Sequence, residues 1–477
     1  MTEAAPAKPD DRAGLSTLER CLGVVTDVRA GEGPTALLLT LNIFLVLCAY
    51  YLIKPVREAL IGAVPNGPFY KSYMGAGIAV TLFFAVPAYA RVAERLARNK
   101  LIAWVSGFFA ANLVGFYVLG KTPWVETQLG ATLYGLGFLL WVGVFNMMIV
   151  AQFWSFAADV YTEERGKRIF PLVAVGASLG AMAGSEVVSR IVSTFGILQM
   201  MLLSAGMLVG SALVAQVVHV RAEKERLDGG EEPPASDRGD KKDTKGAYAL
   251  VFGNKYLLLI AAFTLLFTLV NTSGEFMISS LVAEAAKAHT HVKSEQHAFI
   301  AAYFGDYFKY VNAAGLFIQL FLVSRLVKYG GFKVAFLVFP VVSLVSSTVI
   351  ATTPTLPVVR VGKTAENSLD YSLNNTLRNM LWLPTTRRMK YLAKQVVDSF
   401  FSRLGDVGSA AGVLVLADHF GLGVRGVAIL NVVLVVVWIV VALRIVVERD
   451  RVSKEYAERE GHSCDAPEGG DAAPSKA

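Results

Sequence analysis

Between residues 356 and 384 the chain reads LPVVRVGKTAENSLDYSLNNTLRNMLWLP, an ionisable segment set among strongly apolar ones. Arg360, Lys363, Asn367, Asp370, Asn374 and Arg378 follow one another at intervals of 3, 4, 3, 4 and 4, which predicts that all six share one face of an α-helix. With Glu366 the segment carries five ionisable groups. At a bilayer centre each would cost about 3 kcal/mol, roughly 15 kcal/mol together. Such a helix cannot face lipid. The expectation is a wet internal cavity enclosed by apolar helices, the arrangement a solute carrier requires.

Other residue types that could bind or titrate lie near the ends or inside apolar runs. Lys54, Arg57 and Glu58 form KPVRE at the end of the first run, either as interfacial groups paired with each other or as an anion-binding patch. Glu275 has no basic residue within a helical turn, which points to a cavity partner or a proton-titrating group. Asp306 and Lys309 are three apart and form, by default, an intrahelical ion pair; Tyr303, Tyr307 and Tyr310 around them are packing residues or an aromatic wall.

The elements that must hold these groups are membrane spans. The chain has 477 residues, 54% hydrophobic and only 17% charged, with mean hydropathy +0.49; soluble domains carry about 25% charge. Runs of about 20 apolar residues fall near 36–55, 72–92, 101–119, 128–157, 169–189, 197–220, 250–280, 299–327, 332–352, 356–384, 396–418 and 422–447. The expected fold is therefore all-α, twelve transmembrane helices in two six-helix bundles, 36–220 and 248–447. A charged linker (221–247), expected to be disordered, separates the bundles. Residues 1–35 are polar, lack a signal-peptide core and carry Leu15, Leu18, Leu22 and Val25 at helical spacing, an expected interfacial helix. Residues 448–477 read as a disordered tail. Basic residues concentrate in the even-to-odd loops, while the opposite loops hold only Lys71, Lys121, Lys287, Lys293 and Arg425. That bias predicts a multi-pass protein of the cell (inner) membrane with both termini cytoplasmic. A weak internal repeat at offset 217 superposes Lys54 on Asn271 and Glu58 on Glu275, and Pro55 and Ser273–Gly274 are expected to interrupt the two helices.

Several chemistries are excluded or weakened. The net charge of +7 sits at span ends and in the linker, so it marks membrane orientation rather than nucleic-acid binding. Gly362–Lys363–Thr364 is not a phosphate-cradling loop, since Pro357 occupies the required glycine position and no strand precedes it. Cys21, Cys48 and Cys464 are scattered, and His289, His291 and His297 lack a completing ligand pattern, so no metal or cofactor is expected. Gly176, Gly180 and Gly184, with Gly408 and Gly412, recur every fourth residue as close-packing stripes.

Three segments, LVLCAYYLIKPVREAL (45–60), QFWSFAADVYTEERGKRIFPL (152–172) and the stretch from Tyr371 to Ala410, resemble the ATP/ADP translocases of plastids and intracellular bacteria and their bacterial relatives. The resemblance implies a major-facilitator-like fold, a nucleotide substrate, and roles in transport for Lys54, for Glu275 and for Glu163 or Glu164. The sequence departs from the family where YSLNNTLRN replaces YSLxDPTKE, keeping a cation at Arg378. It departs again where LGDVG replaces LGKSG, so that Asp406 stands in place of a lysine. At about 7 Å and an effective dielectric near 20, such a reversal weakens binding of a phosphate charge by roughly 5 kcal/mol unless Asp406 is paired, for instance with Arg403, or protonated.

The expected activity is alternating-access exchange of a phosphorylated anion, ATP against ADP first, by a non-enzymatic, monomeric carrier. Lys54, Arg57, Lys309, Arg360, Lys363 and Arg378 would hold phosphate, ordered by Glu275, Asp306 and Asp370; Glu58, Asp306, Arg403 and Asp406 would gate or couple. The alternatives are a proton-coupled carrier of another organic solute, titrating at Glu58, Glu275 or Asp306, and a membrane sensor without transport.

Overall fold

The computed structural model describes residues 16–17, 31–75, 77–78, 80–81, 84, 98–160, 163–229, 244–385, 389 and 393–464. The expected interfacial helix, most of 72–92, the side chains of Glu163 and Glu164, and residues 465–477 lie outside the description. The long helices are α1 (Gly33–Gly62), α2 (Arg98–Gly120), α3 (Gln128–Val160), α4 (Glu163–Phe195) and α5 (Ile197–Gly229). After a short α6 (Thr244–Phe252) come α7 (Lys255–His289), α8 (Lys293–Phe317), α9 (Gly331–Thr352), α10 (Leu356–Leu369), α11 (Ser402–Val413) and α12 (Gly423–Cys464).

Among the described residues, nine helical stretches are long and apolar enough to cross a membrane. One of them, Lys293–Thr352, contains two expected spans; Gly331, at φ 72°, breaks its direction between α8 and α9. The segment around α10 fails the same criterion because of its charges, yet it is helical and in place. Its buried face carries Lys363, Glu366, Asn367 and Ser368, and its opposite face leaves Val361 71% exposed, an apolar surface suited to lipid. The expected cost of exposing ionisable groups to acyl chains is avoided by this orientation.

Three expectations are corrected. The six-residue stripe is not continuous, because a π-helical turn over Asp370–Asn374 adds a residue to the helix and rotates everything beyond it. Pro55 and Ser273–Gly274 do not interrupt α1 and α7, which run through them; the irregular turns lie instead at Ile318–Leu322, Leu326–Gly330, Asp370–Asn374, Val397–Phe401 and Leu414–His419. Residues 221–229 and 448–464, expected to be disordered, continue α5 and α12 as helix, consistent with their content of Glu, Lys, Arg and Ala.

Within the first bundle α1 packs on α4 and α5; within the second, α7 packs on α11 and α12. Glycines set these distances. A methyl group at Gly180 would collide with the backbone of Phe44, and one at Gly184 with the Cys48 carbonyl, so α1 and α4 touch backbone to backbone. In the second bundle Gly405, not Gly408 or Gly412, makes the matching approach, to the Leu265 carbonyl on α7. Cys48 and Leu265 are 217 residues apart (265 − 48), the same offset that superposes Lys54 on Asn271.

The two bundles join asymmetrically. One apolar core unites the first bundle with Phe276–Ala286, Ile300–Val311, Ile350, Val359, Val413 and Val427, all at the ends of their helices remote from the linker. The linker-side ends of the second bundle, from Val251 and Phe263 to Trp438 and Ile445, form a separate core. Contacts between the bundles cluster at the remote end: Gly62 on Ile300, Phe69 on Phe276, and Gly305 against the backbone of Ser185 and Ser189.

Candidate functional site

Where the bundles meet, side chains from both form one polar cluster. On α1, Arg57 pairs with Glu58. The chain then turns through Val64–Pro65–Asn66–Gly67. There Asn66 adopts φ 56° and Gly67 is required, because a side chain would overlap the Ile61 carbonyl. The turn folds Lys71 back beside α1, where its ammonium lies 2.6 Å from Glu58 Oε2. The same ammonium donates to Ser279 Oγ at 2.8 Å and stands 3.7 Å from Glu275 Oε2, both on α7. Glu275 accepts from Asn367 Nδ2 at 3.0 Å, and Asn367 also donates to the Tyr307 hydroxyl at 2.8 Å. Lys363, fully buried, donates to Asn271 Oδ1 at 3.0 Å and pairs with Glu366 at 3.1 Å. Gly274 is what admits it: a Cβ there would sit 2.7 Å from Lys363 Nζ.

Lys54 is held differently. Its ammonium is 3.8 Å from the Phe308 ring centroid and 5.0 Å from that of Tyr51, and donates to the Tyr371 hydroxyl at 3.4 Å. Cation–π contacts of this kind contribute up to about 2 kcal/mol when desolvated. The ion pairs among the described residues give Lys54 no carboxylate. The cluster gathers four basic residues (Lys54, Arg57, Lys71, Lys363) with three carboxylates (Glu58, Glu275, Glu366), and Asp370 lies within electrostatic reach of Lys363. Basic side chains gathered between two low-dielectric bundles are placed to attract anions.

Of the residues expected at a central site, the structure gathers Lys54, Arg57, Glu58, Glu275 and Lys363 into this cluster. Lys309, Asp306 and Arg360 form a neighbouring one: Asp306 pairs with Lys309 at 2.6 Å and with Arg360, and Lys309 reaches Glu186 of α4 at 2.9 Å. That group borders a cavity of about 460 Å³. Asp370 accepts from Asn374 and lies within electrostatic reach of Lys363, whereas the rotated Arg378 pairs with Asp398 at 3.1 Å and covers the Phe267 ring. Asp406 is paired, to Arg403 at 2.8 Å and to the Thr272 hydroxyl at 2.7 Å. His289 stacks on Phe299. Sequence reasoning missed Lys71, treating it as a loop cation, and Glu186. The PNG turn was the available signal for Lys71: in a helical hairpin centred near 64–65, residues 58 and 71 face each other.

Two helical bundles enclosing a charged cluster at their interface define a polytopic membrane carrier. Solved structures agree: a nucleoside transporter NupG matches at TM-score 0.59 and 14% identity over 87% of this chain and 98% of that one. A bacterial homologue of the iron transporter ferroportin matches at 0.59 and 13% over 86% and 98%. These likenesses are of fold. More particularly, the chain is similar to ATP/ADP transporters. Residues 132–353 match the family model described as TLC ATP/ADP transporter. ADP,ATP carrier protein 1 of Chlamydia pneumoniae is 21% identical over 470 residues, covering 85% of this chain and 89% of that protein. ADP,ATP carrier protein 4 of Rickettsia bellii is 20% identical over 442 residues, covering 80% and 83%.

Proposed function

We propose that the protein exchanges a nucleotide polyphosphate for its counterpart across the membrane, ATP against ADP, by alternating access, with both termini on the cytoplasmic side. The observation that carries this is Lys54, held by rings rather than by a carboxylate at the junction of the bundles. A ring cage releases an ammonium to an incoming phosphate at less cost than an ion pair would, since no carboxylate is left unpaired. Arg57, Lys71 and Lys363 would take further phosphate oxygens, Arg57 through its guanidinium fork. The pairing of Asp406 with Arg403 and Thr272 supports an anionic substrate despite the lysine-to-aspartate departure, because a neutralised carboxylate repels phosphate far less than a free one.

Uptake of labelled ADP into proteoliposomes tests the proposal. Internal ATP should stimulate uptake, and Lys54→Gln should lower the apparent affinity by about 10- to 100-fold, the worth of one charge-assisted phosphate contact. Uptake that follows an imposed pH gradient and ignores internal nucleotide would replace this reading with the proton-coupled one.

A further inference from the structure

Among the described residues of the charged cluster, Lys71 is the cation whose ammonium meets carboxylates of both bundles. Glu58 belongs to the first bundle; Ser279, Glu275 and the Phe304 ring, 5.7 Å away, belong to the second. Glu58 and Glu275 are also the carboxylates superposed by the 217-residue repeat (275 − 58), so a single ammonium is shared by two equivalent acids, one from each half. The groups facing it from the packed elements are Arg57 and Glu58 on α1, Glu275 and Ser279 on α7, and Phe304 on α8.

From this juxtaposition we infer that Lys71 is the positioning residue that makes exchange obligatory: it latches the remote end of the empty carrier, and the anionic substrate releases it. Opening the remote end requires Lys71 to leave Ser279 and Glu275. In the empty carrier nothing replaces those partners, and Glu275 is left with only its amide donor, so a partly buried charge pair is broken without compensation. A bound polyphosphate changes the balance. Its oxygens accept the Lys71 ammonium and the Arg57 guanidinium, so Lys71, which keeps Glu58, exchanges Ser279 and Glu275 for a stronger anionic partner as the bundles part. Reorientation is then permitted to the loaded carrier and denied to the empty one. This inference rests on the exchange reading for its substrate and on the Lys71 contacts alone for the latch.

The test uses full-length protein in liposomes loaded with labelled ADP. Wild type should retain its load until external ATP is added, and Lys71→Met should release it without external nucleotide at least about tenfold faster than wild type, a typical coupling ratio between two linked sites. Lys71→Arg should restore retention. A Lys71→Met protein that still needs external ATP, or that loses exchange without gaining unidirectional release, overturns the latch. Wild type that binds and exchanges no nucleotide sinks the exchange reading instead. The latch then stands or falls on a second measurement made without nucleotide. Phe69→Cys and Phe276→Cys place thiols where two rings now lie 5.1 Å apart at the remote end. Their crosslinking yield should fall when Lys71→Met is added, and an unchanged yield overturns the latch, provided thermal unfolding shows both proteins folded.

Discussion

A buried lysine needs either a carboxylate or a cavity, and the two lysines at the centre of this protein answer that demand in different ways. Lys363 has a carboxylate, an amide and no exposure at all, and it lies across α7 only because residue 274 has no side chain. Gly274→Ala places a methyl group against its Nζ, Cε and Cδ and forces the lysine to shift from its buried partners, so we expect a loss of about 1–3 kcal/mol, the cost of overpacking a tight site. A melting curve of the purified protein in detergent checks it; an unchanged midpoint would mean that Lys363 can find another path. Most central residues were legible in the sequence for a simple reason, that an ionisable group inside an apolar run has few cheap explanations. Lys54, Glu275 and Lys363 belong to that class. Lys71 was not legible the same way, because its sequence position is a loop and only the turn geometry returns it to the interior. Arg378 misled in the opposite sense: its spacing was right for a regular helix, and the π turn that displaces it leaves no mark in a periodicity pattern.

Helix contacts in this protein are set by small residues more than by apolar stripes, since lipid offers side chains as good a solvent as another helix does. The prediction follows by contrast between two glycines. Gly180 sits against the Phe44 backbone, whereas nothing lies within 4 Å of where a Cβ at Gly206 would be. Gly180→Ala should destabilise by about 1–3 kcal/mol; Gly206→Ala should be neutral or stabilise by up to about 1 kcal/mol through helix propensity. Equal effects on the melting temperature would show that the α1–α4 contact can relax. The stripe at Gly176, Gly180 and Gly184 was readable from its four-residue period. Its counterpart in the second bundle was misplaced by one turn, onto Gly408 and Gly412 instead of Gly405. Spacing identifies a small-residue face but not which member of it touches a neighbour.

At the scale of the molecule, the unequal joining of the bundles carries the conformational content. Among the described residues, the apolar core is continuous at the remote end and divided at the linker side, so the described state is closed remotely, and every cation–carboxylate link between the halves contributes to that closure. The links are not equivalent. Glu186–Lys309 joins α4 to α8 with about a quarter of each side chain exposed, while Lys71 and Glu58 are 13% and 1% exposed. Exposed pairs contribute about 0.2–1 kcal/mol and weaken with salt. Glu186→Gln should therefore shift the balance between remote-closed and remote-open forms by only about two- to fivefold, a shift that shrinks as ionic strength rises. Removing Lys71 should act more strongly and with little dependence on salt. Thiol accessibility at Phe69→Cys, compared between the two backgrounds in low and high salt, separates the rim contact from the central one. If Glu186→Gln proves the larger effect, closure is held at the rim, and the charged cluster serves the substrate alone.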